Sequence, residues 1–191
     1  MPVDAMPLPE PRETEVQRIA RGLRHRDAAL IGEMVERYQY RLVRYLVYLT
    51  GRRDIVDDLA QETWVRVLAR AGQYEGRSRF EAWLFSIARN LVIDGTRERE
   101  LLSIEEFVSV VPGGISPFQA AARGEDALRL AAALEMLGPI YREVLLLRFH
   151  EDLSLQEIAQ VVGAPVPTVS SRIHRGLDML RSQWDGGRNA I

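Results

Sequence analysis

The stretch that decides the fold is Leu153–Trp184, LSLQEIAQVVGAPVPTVSSRIHRGLDMLRSQW. Its beginning has the spacing of a capping box, because the Ser154 hydroxyl can accept from the backbone N–H of Glu157 while the Glu157 carboxylate reaches back to Ser154. An apolar stripe at helical spacing follows: Ile158, Val161 and Val162. Gly163 stands where such a helix should end and the chain should bend. This pattern predicts a short first helix and a turn.

A second helix is predicted after the bend. Pro165 and Pro167 prevent the first helix from continuing, yet proline is favourable where a helix begins. One face is apolar: Val169, Ile173, Leu177 and Leu180. At about 100° per residue, the opposite face is polar: Ser171, His174, Arg175 and Asp178, with Ser170 and Arg172 on its flanks. The two helices predict a helix-turn-helix that binds DNA through the second helix, although an ordinary antiparallel helix pair would share the amphipathic pattern.

The composition excludes several classes of site. The chain has 191 residues and a formal net charge of −2, and all 25 basic residues are arginine. With no cysteine, disulfides and cysteine-ligated zinc are excluded within this chain. His25, His150 and His174 are too far apart in sequence for a ligand motif, so we expect no metal and no cofactor. No apolar run is long enough to cross a bilayer and no signal-peptide pattern is present, so we expect a cytoplasmic protein without direct membrane contact.

The rest of the chain predicts helices and no strand. Residues 1–14 contain four prolines and are expected to be a disordered lead-in. The first predicted helix is Glu15–Arg24, and the second is a longer helix capped by Asp27 that ends at Thr50–Gly51. The third is capped by Asp54 and runs from Ile55 to about Ala71, with Val56, Leu59, Val67 and Leu68 inward. The fourth begins with a second capping box, Ser78 and Glu81, and runs to about Thr96, with Phe80, Leu84, Ile87 and Leu91 inward. Gly72–Arg77 is a predicted loop.

The second half begins with a change of composition. Residues 101–126 contain two prolines and two adjacent glycines among scattered apolar residues, which indicates a linker. Helical patterns resume at Leu128–Leu137 and Pro139–His150. The predicted fold is therefore all-α, with two small helical domains at 15–100 and 127–184 joined by a flexible linker, the second domain a helix-turn-helix, and a short tail at 185–191.

Three segments in this order resemble an extracytoplasmic-function (ECF) sigma factor, the smallest kind of promoter-recognition subunit of bacterial RNA polymerase. They are DDLAQETW at 57–64, FEAWLFSIARNLVID at 80–94, and LGPIYREVLLLR at 137–148 followed by 153–180. The resemblance covers about 15–100 and 127–184. It implies a protein that binds core RNA polymerase, directs transcription to promoters by reading their −35 and −10 elements, and assists melting of the −10 element. It implies no catalytic residues, because the phosphodiester chemistry belongs to the core.

The resemblance assigns two of the three interfaces to helix faces. Core polymerase, through the clamp helices of its largest subunit, is expected to meet one face of the third helix: Asp58, Gln61, Glu62 and Val65. The −35 element is expected to meet the second helix of the helix-turn-helix: Thr168, Ser170, Ser171, Arg172, His174 and Arg175. Arg175 can form a forked pair with guanine in the major groove. Ser170 stands where relatives often carry a long basic side chain, so DNA shape is expected to contribute to the preference.

The third interface is expected to melt the −10 element: Tyr74, Arg77, Trp83, Arg89, Asn90, Asp94 and Arg97. Extruding a base costs a few kcal/mol, and stacking on an aromatic ring returns about 1–3 kcal/mol. Tyr74 on its loop is expected to offer that ring and Asn90 the hydrogen bonds, with the arginines as phosphate contacts; the alternative for Tyr74 is packing against its own domain. Trp83 is assigned mainly to the core. Arg97-Glu98-Arg99-Glu100 alternates in sign where relatives carry a basic cluster, which weakens the expected backbone contact there.

The resemblance also implies a regulatory partner, and the helix-turn-helix leaves two other functions open. A cognate anti-sigma factor, often membrane-anchored, is expected, so the protein would lie at the nucleoid with polymerase or be held at the inner membrane. One alternative is a dimeric regulator that binds an operator, and another is a module that sequesters polymerase without reading promoters.

The 26 linker residues extend to about 86–94 Å at most, which exceeds the roughly 50–70 Å between two elements one and a half to two turns apart.

Overall fold

The computed structural model describes residues 14–102 and 124–188. Within these ranges the chain is all-α, as predicted, and contains no strand. The α-helices are α1 Glu15–Arg24, α2 Ala28–Thr50, α3 Val56–Ala69, α4 Phe80–Leu102, α5 Glu125–Met136, α6 Pro139–Leu145, α7 Leu155–Val162 and α8 Val166–Arg188, with a 3₁₀ turn at Ala71–Gln73 and a π turn at Leu146–His150. The predicted lead-in and most of the predicted linker lie outside the described residues.

Helices α1 and α2 begin and end where their local sequence directs. The Asp27 carboxylate accepts from the N–H groups of Ala29 and Leu30, which confirms the predicted cap of α2. Gly51 ends α2 in the left-handed region at φ 64°, a conformation that glycine adopts without steric cost. Sequence reasoning missed the capping box that Thr14 and Gln17 form at the start of α1.

The first four helices form the N-terminal unit, whose core lies where α2, α3 and α4 pack together. The predicted inner stripe of α4 is buried: Phe80, Leu84, Ile87 and Leu91. It meets buried aromatic and aliphatic residues of α2, and the rings of Tyr38 and Phe80 lie 5.1 Å apart. Leu68 was predicted to point inward, but its side chain is 39% exposed on the outer face of α3.

Two predicted caps are wrong: each helix begins one residue later than its cap requires, α3 at Val56 and α4 at Phe80, and an arginine binds each carboxylate. Asp54 accepts from Arg52 at 2.6 Å, and α3 begins at Val56 without a side-chain cap. Glu81 does not close a capping box with Ser78; its carboxylate accepts from Arg41 at 2.9 Å and from Arg79 at 2.8 Å. Hydrogen bonds between charged groups are stronger than those to a neutral backbone N–H, so the guanidinium groups prevail.

The C-terminal unit contains the predicted helix-turn-helix. Ser154 and Glu157 form the predicted capping box at the start of α7, and Gly163 ends α7 at φ 63°. Val169 and Ile173 of α8 are buried, with Leu177 and Leu180 packed beside them. Gly176 lets α8 approach α6 closely, because a Cβ there would lie 3.0 Å from a methyl carbon of Leu145.

The segment predicted as one helix from Pro139 to His150 is divided. Helix α6 ends at Leu145, and the chain then widens into the π turn, where the Glu151 N–H donates to the carbonyl of Leu146, five residues earlier. Glu151 itself is buried. The two units also contact each other: α4 packs against α7. The sequence did not predict this contact between the units.

Candidate DNA and polymerase interfaces

The recognition helix α8 presents the polar face that its sequence predicts. Ser171, His174 and Arg175 are exposed, whereas Thr168, Ser170 and Arg172 are half-buried at the edges of the face. The Nδ1 atom of His174 lies 2.7 Å from the Ser170 carbonyl, so in the tautomer with its proton on Nδ1 the ring donates along the helix and Nε2 is an acceptor. Within the described residues Arg175 has no carboxylate partner, so its five N–H donors are available to a ligand.

The exposed side of α4 carries only part of the predicted −10 set. Asn90 and Asp94 are exposed, and Asp94 lies 3.9 Å from Arg66 of α3. Arg89 is mostly buried and its Nε donates to Glu143 of the C-terminal unit at 2.8 Å. Arg97 lies within α4, but its side chain is outside the described residues. Asn90 and Asp94 are therefore the accessible polar groups of the predicted set on this helix.

The loop before α4 corrects the expectation for Tyr74. Its ring is 3% exposed and lies 5.7 Å from Phe80 and 5.2 Å from Trp83, centre to centre. Its hydroxyl donates to the Ser78 carbonyl at 2.8 Å. Burial, with the Glu81 carboxylate nearby, raises the pKa of Tyr74, so the hydroxyl stays protonated. The expectation of an exposed ring is wrong; packing within its own domain, the alternative, is what occurs.

The neighbours of Tyr74 explain its burial. Phe80 is fully buried and Trp83 half-buried, so the loop tyrosine completes an aromatic cluster in the core. Gly76 brings the same loop against α1, because a Cβ at Gly76 would lie 3.0 Å from the Val16 carbonyl oxygen. Arg77 points away from this cluster, 85% exposed and paired with Glu75 at 2.5 Å. The loop thus presents an arginine to solvent and keeps its aromatic ring inside.

The outer face of α3 is exposed along its length. Asp58, Gln61 and Glu62 are all exposed, and Val65 is 53% exposed on the next turn. Leu68 continues the same face three residues later, and the sequence pattern could have revealed it as an extension of that spacing. Glu62 accepts from Arg66 at 2.9 Å. The face therefore combines carboxylate and amide groups with two apolar side chains, Val65 and Leu68, that residues 14–102 and 124–188 leave uncovered.

Sequence reasoning missed a set of ion pairs between the two units. Glu151, with a side chain 0% exposed, accepts from Arg41 at 2.8 Å and also from Arg44. Glu143 accepts from Arg89 and from the Tyr45 hydroxyl at 2.9 Å. No local spacing could have revealed these pairs, because their partners lie 54 to 110 residues apart in sequence.

The hydroxyl of Tyr45 is held as a donor by its surroundings. Complete burial, together with the Glu143 carboxylate, raises the pKa of Tyr45 well above its ordinary value. Arg79 adds two hydrogen bonds between the two units: its Nη1 donates to the Asp152 carbonyl at 2.8 Å, and its backbone N–H donates to Glu157 at 3.2 Å. Polar groups from α2 and α4 thus converge on the C-terminal unit.

In the part of the chain that the structure describes, helices alone present a helix-turn-helix with an exposed polar face and, separately, a helix face with exposed apolar side chains, which is typical of DNA-binding proteins that work with a protein partner. Two family models match it: Sigma-70 region 2 over residues 34–101 and Sigma-70, region 4 over residues 127–180. The ECF RNA polymerase sigma factor SigX of Bacillus subtilis (strain 168) is 30% identical over 159 residues, covering 80% of this chain and 82% of that protein. SigW of the same organism is 29% identical over 168 residues, covering 82% and 90%.

The chain belongs to the ECF family of RNA polymerase sigma factors. Its function is promoter-specific transcription initiation with RNA polymerase, so both alternatives, the operator-binding regulator and the sequestering module, are set aside. The sigma factor RpoE of Bartonella quintana, solved in complex with the anti-sigma factor NepR, has the same fold, with a TM-score of 0.62 and 24% identity over 81% of this chain and 96% of that one. No described helix combines the length and apolarity that a membrane crossing requires.

Proposed function

We propose that the two units divide promoter recognition, with α8 reading the −35 element and α4 with its preceding loop acting on the −10 element. The single observation that carries this proposal is the exposed reading face of α8, where Arg175 is accessible and has no described carboxylate partner. An unpaired guanidinium on the outer face of a recognition helix can form both hydrogen bonds with guanine O6 and N7. The half-buried Thr168, Ser170 and Arg172 are proposed to contact the phosphates that border the groove.

At the −10 element, Asn90 and Asp94 are proposed to bind the edge of an extruded base, with Arg77 and Arg97 contacting phosphates. The burial of Tyr74 changes its proposed part: it supports the loop, and it stacks on a base only if the loop opens. Trp83, half-buried beside it, contributes to the same cluster. An Asn90→Ala variant should slow open-complex formation on duplex DNA more than on pre-melted DNA. Equal losses on the two templates would contradict the melting role.

For polymerase, the exposed face of α3 is the proposed docking site. Val65 and Leu68 expose apolar surface that no described part of the chain covers, while Asp58, Gln61 and Glu62 surround it with polar groups. An apolar centre with a polar rim is typical of a protein interface. The clamp helices of the largest polymerase subunit are the proposed partner. A Val65→Arg variant should lose core binding while keeping its helical circular dichroism, and unchanged core affinity would refute the site.

Regulation by a cognate anti-sigma factor is proposed as well. The support is the family resemblance and the complex of the related RpoE with NepR. Through polymerase the protein would act at the nucleoid, and a membrane-anchored anti-sigma factor would hold it at the inner membrane. Affinity capture of the tagged chain from its own cells tests this. A captured protein that, once purified, competes with core polymerase for the chain is expected, and polymerase as the sole partner would refute the proposal.

The decisive experiment for the whole assignment is reconstitution. Purified protein is bound to core polymerase and used for transcription across a library of random promoter sequences. We expect enriched templates with two conserved elements separated by one and a half to two helical turns. Enrichment of a single palindromic element, or of none, would refute the division of labour between the two units.

A further inference from the structure

The closed arrangement of the two units is too compact for the promoter contacts just proposed. Helix α4 packs on α7, and α7 packs on α8. Packed helix axes lie about 8–10 Å apart, so α8 passes within about 20 Å of α4. The −35 and −10 elements are roughly 50–70 Å apart on straight DNA. The units must therefore separate before one molecule can bind both elements.

We propose that Glu143 and Glu151 form a latch that holds the free protein closed and keeps Arg89 from DNA. The inference rests on the proposed function for its biological meaning, since Arg89 belongs to the predicted −10 set. In the closed state Arg89 is already occupied: its Nε donates to Glu143 and only 21% of its side chain is exposed. The Glu143 carboxylate takes the place at Arg89 that a promoter phosphate would otherwise occupy.

The contacts of Glu151 argue that the latch acts between the units. Its carboxylate accepts from Arg41 and Arg44, both on α2, and its backbone carbonyl accepts from Arg41 at 3.4 Å. Among the described residues of its own unit, His150 contributes the charged group nearest to this carboxylate, with Nδ1 at 3.8 Å. A buried carboxylate is stable only when its charge is compensated. Glu151 finds most of that compensation across the interface.

The chemistry of these pairs suits a contact that must open. Removing a carboxylate and a guanidinium from water costs nearly as much as their attraction returns, so a buried ion pair adds little net stability. When the units separate, both groups regain their hydration, and neither is left buried and unpaired. The pairs instead fix which faces meet, because a misaligned interface would leave a charge without a partner. The geometry thus specifies the closed state without making it permanent.

A distance measurement on the full chain tests the latch. The chain has no cysteine, so cysteines introduced at the exposed positions Glu36 of α2 and Gln183 of α8 are the sole sites for spin labels. Double electron–electron resonance on the free wild-type background should give one narrow distribution. Glu143→Arg places a cation against Arg89, and we expect the ratio of closed to open molecules to fall about tenfold or more.

Two further variants make the result specific. Arg89→Glu combined with Glu143→Arg restores the pair with its charges exchanged and should restore the narrow distribution, which a merely misfolded protein would not do. Glu33→Arg reverses a comparable but exposed pair with Arg18, within the N-terminal unit, and should leave the distribution unchanged. A broad distribution in the wild type, an unchanged one in Glu143→Arg, or failure of the exchanged pair to close would each overturn the proposal.

The latch and the proposed function fail in different assays. Run-off transcription with core polymerase and wild-type protein tests the proposed function, whatever the distances are. The distance distributions of the free protein test the latch, whatever the transcript level is. Adding core polymerase to the labelled wild type should convert the narrow distribution to a longer one. If the complex initiates at promoters while the free wild type already shows a broad or long distance distribution, the latch is rejected and the proposed function survives.

Discussion

Replacing Arg175 by alanine should remove base recognition and leave the fold intact. The side chain is exposed and has no described ion-pair partner, so its removal strands no buried group, and the free energy of unfolding should change by less than about 0.5 kcal/mol. A forked arginine–guanine pair contributes about 1–3 kcal/mol of discrimination. At about 1.4 kcal/mol for each factor of ten, the preference for the correct −35 element should fall about 5- to 150-fold.

The assay is run-off transcription with saturating core polymerase on two templates, one with the preferred −35 element and one with that element scrambled. Arg181→Ala is the matched control, because Arg181 lies on the same helix with a side chain 71% exposed and pairs with Asp178 at 3.0 Å. It should change the template ratio less than about twofold, as expected for an exposed ion pair. Core affinity, measured by fluorescence anisotropy, should stay constant in both variants.

Two results would refute the reasoning. In the first, Arg175→Ala lowers transcription equally on both templates and reduces the salt dependence of DNA binding by about one counterion, which is the behaviour of a phosphate contact. In the second, Arg175→Ala and Arg181→Ala have the same template ratio as wild type. Either result would move base reading to other side chains of α8 or to DNA shape.

Three further predictions concern the contacts that hold the candidate sites in place. Ser154→Ala removes the capping box of α7 and should lower the free energy of unfolding by about 1 kcal/mol, or the Tm measured by calorimetry by roughly 2–4 °C. The control Gln156→Ala on the same helix should not lower the Tm, and equal Tm values for the two variants would contradict the cap. Tyr74→Phe keeps the buried ring but loses the hydrogen bond to Ser78, so the free energy of unfolding measured in urea should fall by about 1 kcal/mol while transcription is unchanged. Lost transcription at full stability would instead show a direct role for the hydroxyl. Burial alone would raise the pKa of Glu81, but hydrogen bonds from Arg79 and Arg41 outweigh burial and lower that pKa below 4.5, so the ionised group stabilises the fold above pH 4.5 and loses this effect as pH falls. The Tm of Glu81→Gln should therefore be lower than that of wild type at pH 7, and the two Tm values should converge in acid. A Tm difference that stays constant with pH would refute the ion pairs.

The parts of the fold that the sequence predicted correctly depend on contacts between near neighbours. The Asp27 cap, the Ser154–Glu157 box and the left-handed turn at Gly163 each involve residues at most four positions apart. Apolar periodicity located the buried stripes of α4 and α8 for the same reason. The accessibility of Arg175 also followed, because the face opposite a buried stripe is exposed unless a distant element covers it.

The errors arose where a distant or competing partner decided the outcome. Asp54 and Glu81 have the spacing of caps, but guanidinium groups hold both carboxylates. Tyr74 lies on a glycine-flanked loop, yet Phe80 and Trp83 provide an aromatic cluster that buries its ring. Leu68 was assigned inward from a pattern that does not separate the core face of α3 from a face left for another protein. Glu143 and Glu151 look like surface acids in the sequence, because nothing local identifies the arginines that neutralise them.

The π turn at Leu146–His150 has a consequence for how this chain tolerates length changes. Its wider ring accommodates one more residue than an α-helical turn, so the segment after it is rotated by about 100° relative to an uninterrupted helix. Deleting a single residue within the turn would keep α6 seated on α8 through Leu145 and Gly176 but would swing the Glu151 carboxylate away from α2. The extra residue of the π turn therefore sets the rotation between the contact of α6 with α8 and the contact of Glu151 with α2. Homologues without it would have to contact their N-terminal unit through a different set of side chains.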